Sequence, residues 1–146
     1  MNFLLDTNIL IYTLQKQAGA VFHDFLFQLS ASGLCFISVI SRFELLAGTL
    51  EIHQKNNVEF LDRFPLLELT GPIADRAGSL FRQYRKKGLT LDNEDLFLTA
   101  TAEEEGLAVV TTNSKHFPIL NLKEQHHLSF KTRQGKSEVK SVAILA

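Results

Sequence analysis

The residues able to do chemistry in this chain are Asp6, Glu44, Asp95 and Asn113, with Thr7, Asn8, Asp92 and Thr111 beside them. Asp6 ends an apolar run and is followed by Thr7 and Asn8. Glu44 lies in Ser41-Arg42-Phe43-Glu44-Leu45-Leu46-Ala47-Gly48, where no base stands at salt-bridge spacing along the helix. Asp95 opens Asp95-Leu96-Phe97-Leu98-Thr99-Ala100, and Thr111 and Asn113 follow the apolar pair Val109-Val110. Carboxylates gathered without matching bases repel one another, and a hard divalent cation between them relieves that repulsion. Oxygen-only ligands favour Mg²⁺ or Mn²⁺ over zinc. Such ions orient a water, lower its pKa and neutralise charge that builds on a phosphoryl group.

Each position also has an ordinary structural reading. Asp6 and Asp92 are good helix caps, and Asp92 with Asp95 three residues later approximates a capping box. Glu44 is equally at home as a solvated residue at the edge of an apolar stripe. Thr111-Thr112-Asn113-Ser114 makes a good turn. The case for chemistry therefore rests on whether the fold brings these positions together.

The elements that must do so follow from apolar patterning. Residues 2–5 read as a strand, a turn at Asp6-Thr7-Asn8 leads into a helix over 9–14, and Val21, Phe22, Phe25, Leu26 and Leu29 share one helical face. Residues 34–39 read as a second strand, and Ser38 or Ser41 can cap the helix that carries Glu44. A further apolar-periodic stretch passes through Val58, Phe60 and Leu61. Residues 66–69 read as a third strand, Gly71-Pro72 opens a long helix ending at Lys86-Lys87-Gly88, and Asp92 starts a helix that stops at Gly106. Residues 107–111 form a fourth strand and 119–122 a short fifth. Strands alternating with helices specify an α/β domain with a mainly parallel sheet covered on both faces, and such sheets bind ligands beyond the carboxyl ends of their strands.

Composition narrows the class. The chain has 146 residues, 45% of them hydrophobic, enough for one domain with its own core. Cys35 is the single cysteine, so neither a disulfide within the chain nor a cysteine-based zinc site is possible. No basic leader and no run of roughly 18 apolar residues is present, which points to a cytoplasmic protein away from membranes. The formal charge of −1 excludes a uniformly basic nucleic-acid glove. The charge is unevenly placed: residues 1–130 carry 11 bases and 15 acids, and residues 131–146 four and one. The segment Lys131-Thr132-Arg133-Gln134-Gly135-Lys136-Ser137 reads as the start of a flexible basic tail, outside a domain spanning 1–130.

The runs Phe3-Leu4-Leu5-Asp6-Thr7-Asn8-Ile9-Leu10, Ser41-Arg42-Phe43-Glu44-Leu45, Asp95-Leu96-Phe97-Leu98-Thr99-Ala100-Thr101-Ala102 and Gly106-Leu107-Ala108-Val109-Val110-Thr111-Thr112-Asn113-Ser114-Lys115-His116-Phe117, in this order, resemble a PIN domain of the VapC toxin type. The resemblance covers about residues 1–125. It implies a three-layer α/β/α sandwich with a Rossmann-like sheet, and a Mg²⁺-dependent endoribonuclease, Mn²⁺ substituting, that leaves a 5′ phosphate and a 3′ hydroxyl. It also implies the toxin half of a toxin–antitoxin pair, a homodimer whose partners are an antitoxin and an RNA substrate. Asp6, Glu44 and Asp95 fall on the family's acidic positions and are the implied metal ligands. Asn113 stands where many members have a fourth acid, with Asp92 or Glu94 as outer carboxylates and His116 as a polar contact. Thr7, Asn8 and Thr111 would position waters or carboxylates.

An acidic centre needs bases to meet RNA, and Arg82, Arg85, Lys86, Lys87 and Lys115, with the basic tail, are the candidates, although a charge run is also simply a solvated face. Leu10, Tyr12, Leu14 and Phe27 are candidates for an apolar groove that takes an antitoxin helix. Two other readings stay open. A haloacid-dehalogenase-like phosphohydrolase shares the Asp after the first strand but wants a second Asp where Asn8 stands. A catalytically inert PIN-like module would bind RNA or protein without turnover.

Overall fold

The computed structural model describes all residues, 1–146. Its first strand, β1 (Phe3–Leu5), is buried on both faces, as expected for a short continuous apolar run at the centre of a covered sheet. Asp6 ends it and opens α1 (Thr7–Leu14); α2 (Gly19–Ser30) then returns the chain to β2 (Cys35–Ser38). Ser38 caps α3 (Val39–Ala47), its Oγ accepting from the Ile40 amide at 3.1 Å. A short 3-10 turn and α4 (Gln54–Leu61) lead to β3 (Leu66–Leu67). Thr70 caps α5 (Gly71–Lys86), with Pro72 in the first turn, where an N–H would have no helical partner anyway. The next helix, α6 (Asn93–Glu105), ends at Gly106, whose φ of +66° is a left-handed conformation that only glycine adopts freely. Then come β4 (Ala108–Thr111), β5 (Leu122–Lys131) and β6 (Ser137–Leu145).

The six strands make one sheet in the order β3-β2-β1-β4-β6-β5. β1, β2, β3 and β4 are mutually parallel, with Leu5 opposite Val110, while β6 runs antiparallel to both β4 and β5. Successive residues of each inner strand serve opposite layers. Phe3, Leu5, Val110, Val142 and Ile144 meet Ile9, Leu10, Phe22, Phe25 and Leu29 of α1 and α2 on one face. Leu4, Val109, Ala143 and Leu145 meet Leu98 and Ala102 of α6 and Phe117 on the other. α5 then lies on α6 through Ile73, Ala77, Leu80, Tyr84, Leu96 and Ala100, completing the three-layer α/β/α sandwich. Cys35 is buried in this core, and desolvation pushes its thiol up to about 11. No helix is long and apolar enough to cross a membrane.

Two expectations are corrected. The fifth strand starts at Leu122 rather than running over 119–122. Residues 131–146 are not a flexible tail, because β6 lies inside the sheet between β4 and β5. Residue 130 therefore marks no boundary; it sits within β5. The physical reason is alternation on both sides of a tight turn. Leu128 and Phe130 on β5, and Val142 and Ile144 on β6, present one apolar face to the first core layer. The turn is built by Thr132, whose amide donates to the Lys136 carbonyl at 2.8 Å, and by Gly135 at φ +81°. Asn121 and Ala146 exchange two backbone hydrogen bonds of 2.9 Å and tie the base of the hairpin.

Because Ile144 is only 2% exposed, Ile144→Ala should destabilise the chain by about 2–5 kcal/mol in urea unfolding. A change below about 0.5 kcal/mol, the range of ordinary surface substitutions, would place this strand outside the core.

Candidate active site

The parallel register of β1 and β4 sets the site. It places Asp6, the first residue past β1, beside Thr111, the last residue of β4. Asp6 is 6% exposed and its carboxylate is held from two sides. Oδ1 accepts from the Thr7 amide at 2.8 Å, the capping bond of α1, and Oδ2 accepts from the Thr111 hydroxyl at 2.7 Å. Thr111 is fixed in turn, since its Oγ1 accepts from the Asn113 amide at 2.9 Å. The capping role and the functional role of Asp6 thus coincide, with one oxygen serving each.

α1 and α3 bring in the second carboxylate. The Thr7 hydroxyl donates to Glu44 Oε1 at 2.8 Å, so Thr7 links Asp6 to Glu44 through its amide and its side chain. α6 supplies the third: Asp95 stands in its first turn, and Asp95 Oδ2 lies 3.1 Å from Nδ1 of His116. Together these elements enclose a polar cleft of about 250 Å³ lined by Asp6, Thr7, Asn8, Ile11, Glu44, Asp92, Glu94, Asp95 and His116. Five carboxylates face it, and one half-exposed imidazole is the sole base.

The electrostatic consequence is a set of acids that resist ionising together. Burial raises the Asp6 carboxyl above its ordinary range, opposed by the Thr111 and Thr7 hydrogen bonds. Glu44 is raised first by burial and then by Asp6, Glu94 and Asp92, against the Thr7 bond. Asp95 is pushed up to about 6, first by burial, with Asp6, Asp92 and Glu44 adding to the rise and His116 opposing it. Three elevated carboxyls around one cleft present a deficit of positive charge.

The donor set fits a hard divalent cation. All candidate ligands are oxygens, and Glu44 Oε2 and Asp95 Oδ1 take no hydrogen bond. The acids do not close into a group of three at ligating distance; Thr7 and His116 hold Glu44 and Asp95 in their present positions. Asp6, Glu44 and Asp95 are the residues that would hold the ion, with Thr111 and Thr7 steering the first two.

The other expected site residues divide. Asn8 and Asp92 line the cleft, but the Asp92 side chain makes no capping bond, so the expected capping box does not form and that carboxylate faces the cleft instead. Asn113 is not among the lining residues; its backbone amide donates to Thr111. His116, expected only as a polar contact, meets Asp95 directly. Its signal in the sequence is its position in the turn just after Thr111 and Asn113. Lys115 is exposed beside it. Arg82, Arg85, Lys86 and Lys87 are exposed or nearly so and form no ion pair. α5 runs antiparallel to α6, with Arg76 paired to Glu103 at one end and Arg85 near Leu91 and Leu96 at the other. That places the basic end of α5 beside the first turn of α6. Of the expected groove residues, Leu10 is fully buried and cannot contribute, whereas Phe27 is 78% exposed.

Comparison with known proteins agrees with this geometry. Residues 3–121 match the PIN domain family. A relative named ribonuclease VapC10, from Mycobacterium tuberculosis, is 32% identical over 116 residues, covering 80% of this chain and 86% of its own. The solved structure of VapBC2 from Rickettsia felis, bound to a DNA fragment from its promoter, superposes with a TM-score of 0.73 at 27% identity, covering 82% of this chain and 93% of that one. A toxin–antitoxin complex from Klebsiella pneumoniae gives 0.64 at 28% identity, covering 80% and 90%. An acidic cleft at the carboxyl edge of a parallel sheet, and a family match over residues 3–121, place this chain in the PIN-domain family.

Proposed function

We propose that the chain is a Mg²⁺-dependent endoribonuclease and the toxin member of a toxin–antitoxin pair. The observation that carries this reading is the cleft itself, where Asp6, Glu44 and Asp95 converge from three elements with no lysine or arginine to neutralise them. The names of the relatives, ribonucleases and toxin–antitoxin complexes, support both the activity and the antitoxin partner.

The three carboxylates would hold the ion, which when bound lowers the pKa of a water and offsets charge developing on the phosphoryl group. The chain's own residues do the rest. Thr111 and the Thr7 amide favour the ionised form of Asp6 against its burial and aim it by donating to each of its oxygens. Thr7 fixes the rotamer of Glu44. His116 orients Asp95 through Nδ1, and its other ring nitrogen would donate to a phosphate oxygen of the RNA. Asn8 offers an uncharged amide at the same rim. The exposed bases at the end of α5 and Lys115 draw the RNA backbone toward an otherwise repulsive centre.

Three outcomes follow. Thr111→Val, nearly isosteric and fully buried, removes the donor to Asp6 and should cost about 10–100-fold in Mg²⁺-dependent RNA cleavage, the usual effect of deleting an outer partner of a ligand. Asp6→Asn should cost more than that; an Asp6→Asn protein cleaving RNA at the original rate would overturn the assignment. The third concerns pH. Protons compete with the ion for Asp95, whose carboxyl titrates near 6 in the metal-free fold, above its ordinary value of 3.8. An acid raised by folding is relieved as pH falls, so the metal-free protein gains stability from about pH 7 toward 4, while metal-bound stability is lost over the same range. The Tm increment between Mn²⁺ and EDTA should be large near pH 7.5 and shrink toward zero by about pH 5. An increment independent of pH would mean that the carboxylates of this cleft do not hold the ion.

A further inference from the structure

The β5–β6 hairpin lies beyond residues 3–121, the part matched to the family. Its direction follows from its register. Within β6 only residues 143–145 pair with β4, and Ala143 is opposite Thr111, the residue that holds Asp6. Because β6 is antiparallel to β4, residues 137–142 continue past the carboxyl end of β4, paired to β5 alone. At about 3.3 Å per residue they carry the turn roughly 20 Å beyond the edge where the acidic cleft opens.

The overhanging arm touches α1, the helix whose first turn carries Thr7 and Asn8 of the cleft. Lys140 Nζ sits 5.5 Å from the centre of the Tyr12 ring, and Tyr12 stands one helical turn after Asn8, which lines the cleft. The ring of His126 packs edge-on to Phe25 at 5.2 Å, which secures the arm to α2.

Its charge is opposite to that of the body. Residues 122–146 hold five bases and two acids, whereas residues 1–121 hold ten bases and fourteen acids. Lys140 is paired with Glu138 at 3.1 Å, but Lys131, Arg133 and Lys136 at the tip are exposed and make no ion pair. Protection of a free sheet edge accounts for lysines along β5. It does not account for Arg133 and Lys136, which are in the turn, where no edge needs guarding.

We propose that this hairpin is a phosphate-binding arm: Lys131, Arg133 and Lys136 hold the backbone of single-stranded RNA where it leaves the acidic cleft. The inference rests on the reading of the cleft as a ribonuclease site, and it assigns the hairpin to substrate capture rather than to the reaction.

The test uses the full-length protein in EDTA, so that binding is measured without cleavage, with a fluorescein-labelled RNA of mixed sequence, about 20 nucleotides long, followed by anisotropy from about 50 to 300 mM KCl. The variant K131Q/R133Q/K136Q should weaken binding by about 10-fold or more at the lowest salt. It should also reduce the slope of log K against log salt by about 2, since each phosphate neutralised on a single strand contributes about 0.7 to that slope. Lys123→Gln, at the opposite end of the same hairpin, should leave both unchanged. Circular dichroism that matches the parent shows the triple variant folded, as expected for exposed turn residues. Unchanged affinity and slope in the triple variant, an equal effect per charge from Lys123→Gln, or no RNA binding by the parent protein would each overturn the arm. Cleavage by the parent in Mg²⁺ is scored separately: cleavage with an unaffected triple variant leaves the nuclease and removes the arm, and arm-dependent binding without cleavage does the reverse.

Discussion

The structure turns on a single buried contact, the hydrogen bond from Thr111 to Asp6 across the adjacent parallel strands β1 and β4. A carboxylate that is almost fully buried is destabilising unless its lone pairs are satisfied. Here the Thr111 hydroxyl and the Thr7 amide satisfy one oxygen each, and both donors sit where the sheet register and the start of α1 put them. Any shift in pairing between β1 and β4 would separate the hydroxyl from the acid and also turn Leu4 and Leu5 toward the wrong layers. Core packing and site geometry are therefore one constraint: the alternation that sorts Phe3 and Leu5 from Leu4 also delivers Asp6 to Thr111.

Around that contact the other acids are held progressively less tightly. Glu44 is tied to Asp6 through Thr7, while Asp95 is tied to a half-exposed imidazole on the turn after β4. The result is a cleft in which the most buried acid is the most completely hydrogen-bonded, and Asp95, with its carboxyl pushed up to about 6, keeps one oxygen open toward the cavity. Charge balance comes from outside the cavity: the bases lie on the end of α5, on the turn at Lys115 and on the hairpin, at the periphery rather than among the acids.

Much of this was legible in the sequence because the informative residues obey local rules. Apolar runs of three or four residues ending in Asp6 and Thr111 mark covered parallel strands, and Ser38, Pro72 and Gly106 mark helix ends by their own backbone chemistry. Asp6 and Asp95 were recognisable because one ends a strand and the other stands in the first turn of a helix, and Glu44, inside α3, because no base stands at helical spacing from it. What was not legible depended on distant pairing. The basic segment after Lys131 has Val139 as its one apolar side chain before Val142, so its composition resembles a free tail. Only the spacing of Leu128 with Phe130 and of Val142 with Ile144, astride a turn with Gly135, betrays two strands. The contact that Asn113 makes is hidden for a related reason: residue type draws attention to its side chain, whereas the bond to Thr111 comes from its backbone amide, a group every non-proline residue possesses. The contact of His116 could not be read locally because its partner, Asp95, comes from another element.

The position of β6 also bears on how the molecule comes into being. An interior strand of the sheet is synthesised after both of its neighbours, and it pairs with β4 at Thr111 through Ala143. At roughly 5–20 residues per second, the ribosome needs several seconds to travel from one of these residues to the other. Throughout that interval β4 has a partner on one side only, and the pairing that covers its other side waits on a segment more than thirty residues further along the chain, Thr111 meeting Ala143. The nascent chain thus carries an open strand edge beside the very residue on which Asp6 depends, and that edge is closed only when the last strand of the chain arrives.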